Sequence, residues 1–260
     1  MSIQEEAVEI ISAHLKKDER VQAIFLKGSM GRDEHDAYSD VDLYVLVDEL
    51  QLDSFLNDRL TFLETYRSIL FYEDYFIIAP QIIAVFDNLL HIDLFTVTEQ
   101  TFTEKDFFKV VYDPNNKLQR FEASQSLNLT ESEFSDHAYD TAWFLFKYNK
   151  AQQRGNDVWA VDLLRHVYDH FAKVLMQRYQ PDRAQLGLKV VQTKLPAAVM
   201  TLVKKSMMNA TPTNHRVAAI EVVKLLEGEM DWIEAELGER AQAAAFLERM
   251  IKEIRGIEEK

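Results

Sequence analysis

The sequence predicts an α+β fold, with an N-terminal domain of mixed β-sheet and flanking helices and a C-terminal all-helical bundle. Three observations carry this reading. Short apolar runs of strand length, VQAIFLKG (21–28), DLYVLV (42–47), IIAVF (82–86) and LLHIDLFTV (89–97), all fall before residue 100. Beyond about residue 130 the pattern changes to long stretches with helical apolar spacing. The charge divides in the same place: residues 1–125 carry 24 acidic and 11 basic side chains, and residues 126–260 carry 19 and 18. We therefore expect two domains, 1–125 and 126–260, joined within VVYDPNNKLQRFEASQSLNLTES (110–132).

The elements follow in order. Ile3, Ala7, Ile10, Ile11 and Leu15 place one apolar face on a helix from Ile3 to about Lys17. A strand then runs to Gly28, a second follows from Asp42, and LQLDSFLNDRLTFLETYRSIL (50–70) has the spacing of a helix. The runs 82–86 and 89–97 read as two strands joined by a tight turn at Asp87-Asn88, because Asp and Asn tolerate the positive φ of such turns. In the second half, helical patterns at 132–155, 157–179, 195–208, 215–237 and 241–256 are punctuated by Gly155, Pro181, Pro196, Pro212 and Gly238.

Composition narrows the function classes. There is no cysteine among 260 residues, which excludes disulfides and thiolate metal sites. No stretch approaches the ~18 apolar residues of a membrane span, and the first residues lack a basic segment followed by an apolar one, so we expect a soluble, cytoplasmic protein. The sequons at Asn128 and Asn209 then carry no sugar. A formal charge of -14 disfavours sequence-independent binding to nucleic acid. If the acidic half handles a polyphosphate, it does so through divalent cations; the same field attracts a cationic small molecule.

The chemistry concentrates in FLKGSMGRDEHDAYSDVDLYVLV (25–47), which holds Gly28 and Gly31, the only glycines in the first 154 residues. A strand ending at Gly28-Ser29 and turning into a helical turn leaves backbone N–H groups and a hydroxyl for an anion, though a bare Gly-Ser pair is more often a plain turn. Period-two alternation puts Asp40 and Asp42 on one side of a strand while Val41, Leu43, Val45 and Val47 face the core. Paired carboxylates repel unless a cation lies between them, and magnesium takes such oxygen ligands together with substrate phosphates. Asp93, flanked by apolar residues on a later strand, brings a third carboxylate, enough for two magnesium ions and for assisting a hydroxyl's deprotonation. Arg32 stands either on a phosphate or in a surface ion pair with its acidic neighbours Asp33, Glu34 and Asp36.

The combination GSMGRDEHDAYSDVDL, preceded by an apolar strand and followed by HID on a later one, resembles the signature of the DNA polymerase β-like nucleotidyltransferase superfamily. The chain length, the mixed N-terminal half and the helical C-terminal half are similar to its antibiotic-modifying branch, the lincosamide and aminoglycoside nucleotidyltransferases. The motif resemblance covers roughly residues 20–100. It implies transfer of a nucleoside monophosphate, usually AMP from ATP, to a hydroxyl with release of pyrophosphate. By the same resemblance Gly28 and Ser29 hold the triphosphate, and Asp40 and Asp42 bind the metals. Asp93 completes the metal site or acts as general base; several antibiotic-modifying relatives have a glutamate there, one methylene longer. The site is expected in the cleft between the halves, the acceptor is a small hydroxyl-bearing molecule, and relatives of this shape often form homodimers.

Two rival readings remain: AMP transfer to a protein hydroxyl, as in small toxin-neutralising members of the superfamily, and a nucleotide-binding protein that has lost the reaction. Elsewhere, His166 and His170 are one helical turn apart but lack the other ligands of a zinc site. Lys147, Lys150, Arg154 and Arg165 offer positive charge to a triphosphate or lie on a solvated helix face. Trp143, Phe144, Phe146 and Tyr148 form a ligand wall or core, and Met207-Met208 reads as packing.

Overall fold

The computed structural model describes residues 1–103 and 105–256, which divide into two compact units, one ending at Ser126 and the next beginning at Leu127. In the first, helix α1 (Ile3–Leu15) is started by a reciprocal cap: the Ser2 hydroxyl accepts from Glu5 N–H while the Glu5 carboxylate accepts from Ser2 N–H at 2.7 Å. Strand β1 (Val21–Leu26), the short helix α2 (Gly28–Gly31), β2 (Val41–Val47), α3 (Leu52–Leu63), β3 (Ile69–Phe76), β4 (Pro80–Phe86), β5 (His91–Val97) and β6 (Lys109–Tyr112) follow. They build a six-stranded mixed sheet in the order β3-β4-β5-β2-β1-β6, in which only the central β2–β5 pair is parallel.

The two faces of this sheet are filled differently. On one, Val41, Leu43, Val45, Ile82, Ala84, Phe86, Ile92 and Leu94 pack against Ala7, Ile11 and Leu15 of α1 and Phe55 and Leu63 of α3. On the other, Phe25, Tyr44, Leu46, Phe95, Val97 and Phe102 form an aromatic-rich core, with Tyr44 stacked on Phe95 at 4.3 Å between centroids. That second core covers only part of its face, and the uncovered part holds the candidate site.

Three details differ from the expectations. The helix expected over 50–70 ends at Leu63, and Ile69–Phe76 forms a strand, because its β-branched and aromatic residues suit an extended chain paired with β4. The edge strand β6 lies inside the expected boundary segment. At the β4–β5 turn the positive φ falls on Leu89 (63°), not on Asp87 or Asn88. Asp87 pairs with Arg67 at 2.5 Å, and the Asn88 side chain accepts from Leu90 N–H and donates to the Tyr66 hydroxyl, which leaves the left-handed position to an exposed leucine.

The second unit is helical throughout. Its helices are α4 (Glu131–Gln153), α5 (Asp157–Tyr179), α6 (Val191–Lys194), α7 (Ala197–Met208), α8 (His215–Leu237) and α9 (Ala241–Arg255), with a 3₁₀ segment at Pro181–Lys189. A Thr130–Glu133 capping box starts α4, and Gly155 at φ 67° turns the chain into α5. Leu145, Tyr148, Leu164, Val167, Ala218, Val223, Ile233, Leu247 and Ile254 are buried in one core. Met207 and Met208 are not packed, being 43 % and 80 % exposed: α7 ends there, and its buried positions are Val199, Met200, Val203 and Ser206. No helix of the described residues is long and apolar enough to cross a membrane.

Candidate active site

Both early glycines are fixed by close contacts. Gly28 has φ +58°, and a Cβ there would lie 1.9 Å from Asp42 Oδ2, so the turn needs a residue without a side chain beneath that carboxylate. At Gly31 a Cβ would meet the carbonyl oxygens of Leu26 and Phe107 at 2.7 and 2.8 Å. The turn is tied to β2 by a hydrogen bond from Lys27 N–H to Asp42 O at 3.0 Å. Lys27 itself is buried, its ammonium 5.0 Å from the Phe102 ring centre and 5.5 Å from that of Tyr44. Ser29 Oγ is buried and has no hydrogen-bond partner, which is costly for a hydroxyl unless a ligand atom reaches it. The loop carrying Asp40 is pinned by the buried Gln4 amide, which donates to the Asp36 and Ser39 carbonyls at 3.2 and 2.9 Å.

Asp42 and Asp93 are register partners across the parallel β2–β5 pair, so their side chains leave the sheet side by side on the partly covered face. Asp40 sits differently from the expectation. It precedes β2, which begins at Val41, and reaches the cluster from the loop with about half its side chain exposed. His91 joins the two: Nε2 is 3.0 Å from Asp93 Oδ1 and Nδ1 is 3.9 Å from Asp40 Oδ2. Donor atoms of Asp40, His91 and Asp93 all lie within 4.8 Å of one another, a spacing suited to a shared cation. The hydrogen bond to Asp93 raises the His91 pKa; partial burial opposes this, and the fields of Asp93, Asp40 and Asp42 add to the rise. An open groove of about 430 Å³ passes Asp40 and His91, bordered also by Tyr38, Ser39, Asn88 and Leu89.

Arg32 is mostly buried, pairing with Glu34 at 2.9 Å and with Asp106. His91 was not singled out from the sequence, yet it stands two residues before Asp93 in HID, and strand alternation alone puts both side chains of that pair on one face.

In the helical unit, the His170 ring meets His137, Nδ1 to Nδ1 at 3.0 Å, and stacks on Phe144. His166 stacks on Phe144 as well and contacts Arg165. Tyr148 is fully buried and hydrogen-bonded to His215, while Trp143 is 37 % exposed with the Lys147 ammonium over its ring. Lys150 covers Phe146, and Arg165 pairs with Asp169 at 2.9 Å.

Residues 9–83 match the family model described as Polymerase beta, Nucleotidyltransferase. That span contains Gly28, Ser29, Asp40 and Asp42; Asp93 lies just beyond it. The first unit thus carries a nucleotidyltransferase domain of the polymerase β type. Among solved structures, the chain is similar to an aminoglycoside 6-adenyltransferase from Bacillus subtilis, with 16 % identity, 99 % of this chain and 98 % of that chain covered, and a TM-score of 0.37. It is also similar to a nucleotidyltransferase-like protein from Exiguobacterium sibiricum (14 % identity, 90 % and 78 % covered, TM-score 0.40). A third is the CD-NTase CdnG of Bradyrhizobium diazoefficiens in complex with GTP (11 % identity, 98 % and 94 % covered, TM-score 0.32). No curated protein sequence matches the chain.

Proposed function

We propose that this protein transfers a nucleoside monophosphate, AMP from ATP, to a hydroxyl of a small molecule and releases pyrophosphate. The observation that carries the reading is the Asp42–Asp93 register pair standing over the Gly28-Ser29 turn, inside or next to the segment that matches the nucleotidyltransferase model. The donor set suits a divalent cation: donor atoms of Asp40, His91 and Asp93 converge within 4.8 Å, Asp42 is the register partner of Asp93, and the buried Ser29 hydroxyl in the turn under Asp42 lacks a partner. Asp40, Asp42 and Asp93 would hold two magnesium ions, which when bound neutralise the phosphates and lower the barrier to displacement at the α-phosphorus.

The chain's own groups divide the remaining work. Ser29 Oγ donates to a phosphate oxygen of the triphosphate, and Gly28 lets that oxygen approach the main chain. The Asp93 carboxylate accepts the proton of the attacking hydroxyl, with the His91 ring on Oδ1 fixing its orientation. The acceptor oxygen forms a bond to the α-phosphorus, the bond from that phosphorus to the bridging oxygen breaks, and pyrophosphate leaves with the electron pair. Arg32, already paired with Glu34 and Asp106, shapes the loop beside the turn.

The test is incubation with α-labelled ATP, magnesium and a panel of aminoglycosides, lincosamides and candidate proteins. Label is expected on a small molecule, only with the divalent cation, and lost in Asp93→Asn. Label on protein would replace this reading with the protein-modifying one, and nucleotide binding without transfer would replace it with the non-catalytic one.

A further inference from the structure

The donors on this face are of two chemical kinds. His91 opens β5, and the parallel ladder pairs Val41 with Ile92 and Asp42 with Asp93. One step back along the same register, Asp40 comes level with His91. Two rows of donors therefore cross the strand pair. Asp42 with Asp93 offers oxygen alone, whereas Asp40 with His91 offers oxygen and nitrogen. Both rows lie on the face opposite α1 and α3, because the alternate residues Val41, Leu43, Ile92 and Leu94 fill the core beneath those helices.

The two nitrogens of His91 have separate surroundings. Nε2 lies 3.0 Å from Asp93 Oδ1, and an ionised carboxylate can only accept there, so Nε2 is the donor. In the neutral ring Nδ1 then turns its lone pair toward Asp40 Oδ2, 3.9 Å away. That gap is too long for a hydrogen bond. A lone pair facing a carboxylate is repelled, whereas a cation between the two attracts both. Two coordinate bonds of about 2.0–2.2 Å can span such a gap. Asp93, on the far nitrogen, fixes the ring and its tautomer and makes Nδ1 a stronger donor, an arrangement typical of histidines that ligate metals. The position is open to solvent: Asp40 is 48 % exposed and His91 38 %, and the groove of about 430 Å³ runs past both.

We propose that the Asp40–His91 end of this face is a nitrogen-bearing cation position that prefers a borderline first-row ion, of the Fe²⁺, Co²⁺ or Zn²⁺ kind, to Mg²⁺. His91 Nδ1 and the Asp40 carboxylate bind the ion, while Nε2 keeps its hydrogen bond to Asp93. Imidazole adds affinity for these ions and little for magnesium, which takes oxygen ligands. The all-oxygen Asp42–Asp93 row remains a magnesium position, and magnesium fills both positions only where no borderline ion competes. The ion's place beside a triphosphate rests on the nucleotidyl-transfer reading; its identity rests on the donor set of the Asp40–His91 row.

Metal binding to the full-length protein without nucleotide keeps the two ideas separable. Co²⁺ and Mg²⁺ are titrated one at a time by calorimetry. His91→Gln should weaken Co²⁺ by about tenfold or more while Mg²⁺ affinity stays within about threefold, which also reports an intact fold. Asp40→Asn should weaken both ions. The proton NMR spectrum of the Co²⁺-loaded wild type gives a second readout: a ring bound through Nδ1 retains its Nε2–H, so one strongly shifted resonance should appear in H2O, vanish in D2O and be missing from His91→Gln. The proposal fails if the wild type lacks that resonance, or if His91→Gln leaves Co²⁺ affinity unchanged or weakens both ions alike. Co²⁺ binding that depends on His91, with no label transfer under any metal, would instead sink the nucleotidyl-transfer reading and leave the ion position standing. Magnesium-supported transfer by a protein whose Co²⁺ affinity ignores His91 would do the reverse.

Discussion

Two histidine neighbourhoods, one in each unit, treat the same ring in opposite ways. On the sheet, His91 is bonded to Asp93 and faces Asp40, which raises its pKa. In the helical unit, burial drives His137 down to about 4, with Lys173 and His170 adding to the fall, and burial lowers His170 as well. The carboxylates around His91 favour its protonated form. Burial against Phe144 and a second histidine instead disfavours the charged form of His170. The histidine of the first unit thus lies among carboxylates that favour a positive charge, and those of the second lie in packing that disfavours one.

Changing the carboxylates is the most direct way to break that contrast. Asp42→Asn should lower label transfer by about a thousandfold, as expected for loss of a preorganised electrostatic contact. Its melting temperature should not fall, because one of two adjacent like charges is gone. Leu94→Ala, one residue from Asp93 but on the helix-packed face, should do the reverse: urea unfolding should show a loss of about 2–5 kcal/mol while the folded fraction stays active.

Gly28→Ala comes next. With φ at +58° and Asp42 Oδ2 1.9 Å from the new Cβ, the turn must shift or push the carboxylate aside. Transfer should drop about a hundredfold with about 1–3 kcal/mol of stability lost to backbone strain, read by kinetics and by chemical denaturation. Unchanged kinetics would mean that the turn does not position Asp42 for the reaction.

The smallest effect belongs to the other histidine. His137 stays neutral in the folded protein down to about pH 4, whereas the unfolded chain takes up the proton near 6.5. The folded state thus keeps this contribution above the unfolded pKa and loses it as pH falls towards the folded one. Stability should decline by about 1–2 kcal/mol between pH 6.5 and 4 after allowing for the ring's partial exposure, and His137→Gln should flatten that slope in urea titrations.

Much of the architecture was legible before any coordinates. The alternation in SDVDLYVLV and HIDLFTV gives both strands, their buried faces and two of the carboxylates, since period two dictates which residues share a side. The helical half announced itself through periodicity and its glycine and proline stops. What stayed hidden was set by partners distant in sequence. In ILFYEDYF both faces of the strand are exposed, so no apolar alternation distinguishes it, and only pairing with β4 makes it a strand. His91 escaped because its meaning depends on Asp40 arriving from a loop that follows no strand pattern. Glu73 was one acid among many until two consecutive strand pairings placed it level with Asp93.

The parallel β2–β5 ladder also limits how such a chain can vary over time. A one-residue insertion or deletion inside either strand would turn every following side chain over, sending a carboxylate into the aliphatic layer and a leucine into the catalytic surface. Of the segment between these two strands, β4 obeys the same arithmetic, since it pairs with β5 and packs Ile82, Ala84 and Phe86 into the core, whereas the connecting loops are free to lengthen. Length changes in those loops leave the Asp42–Asp93 pairing undisturbed.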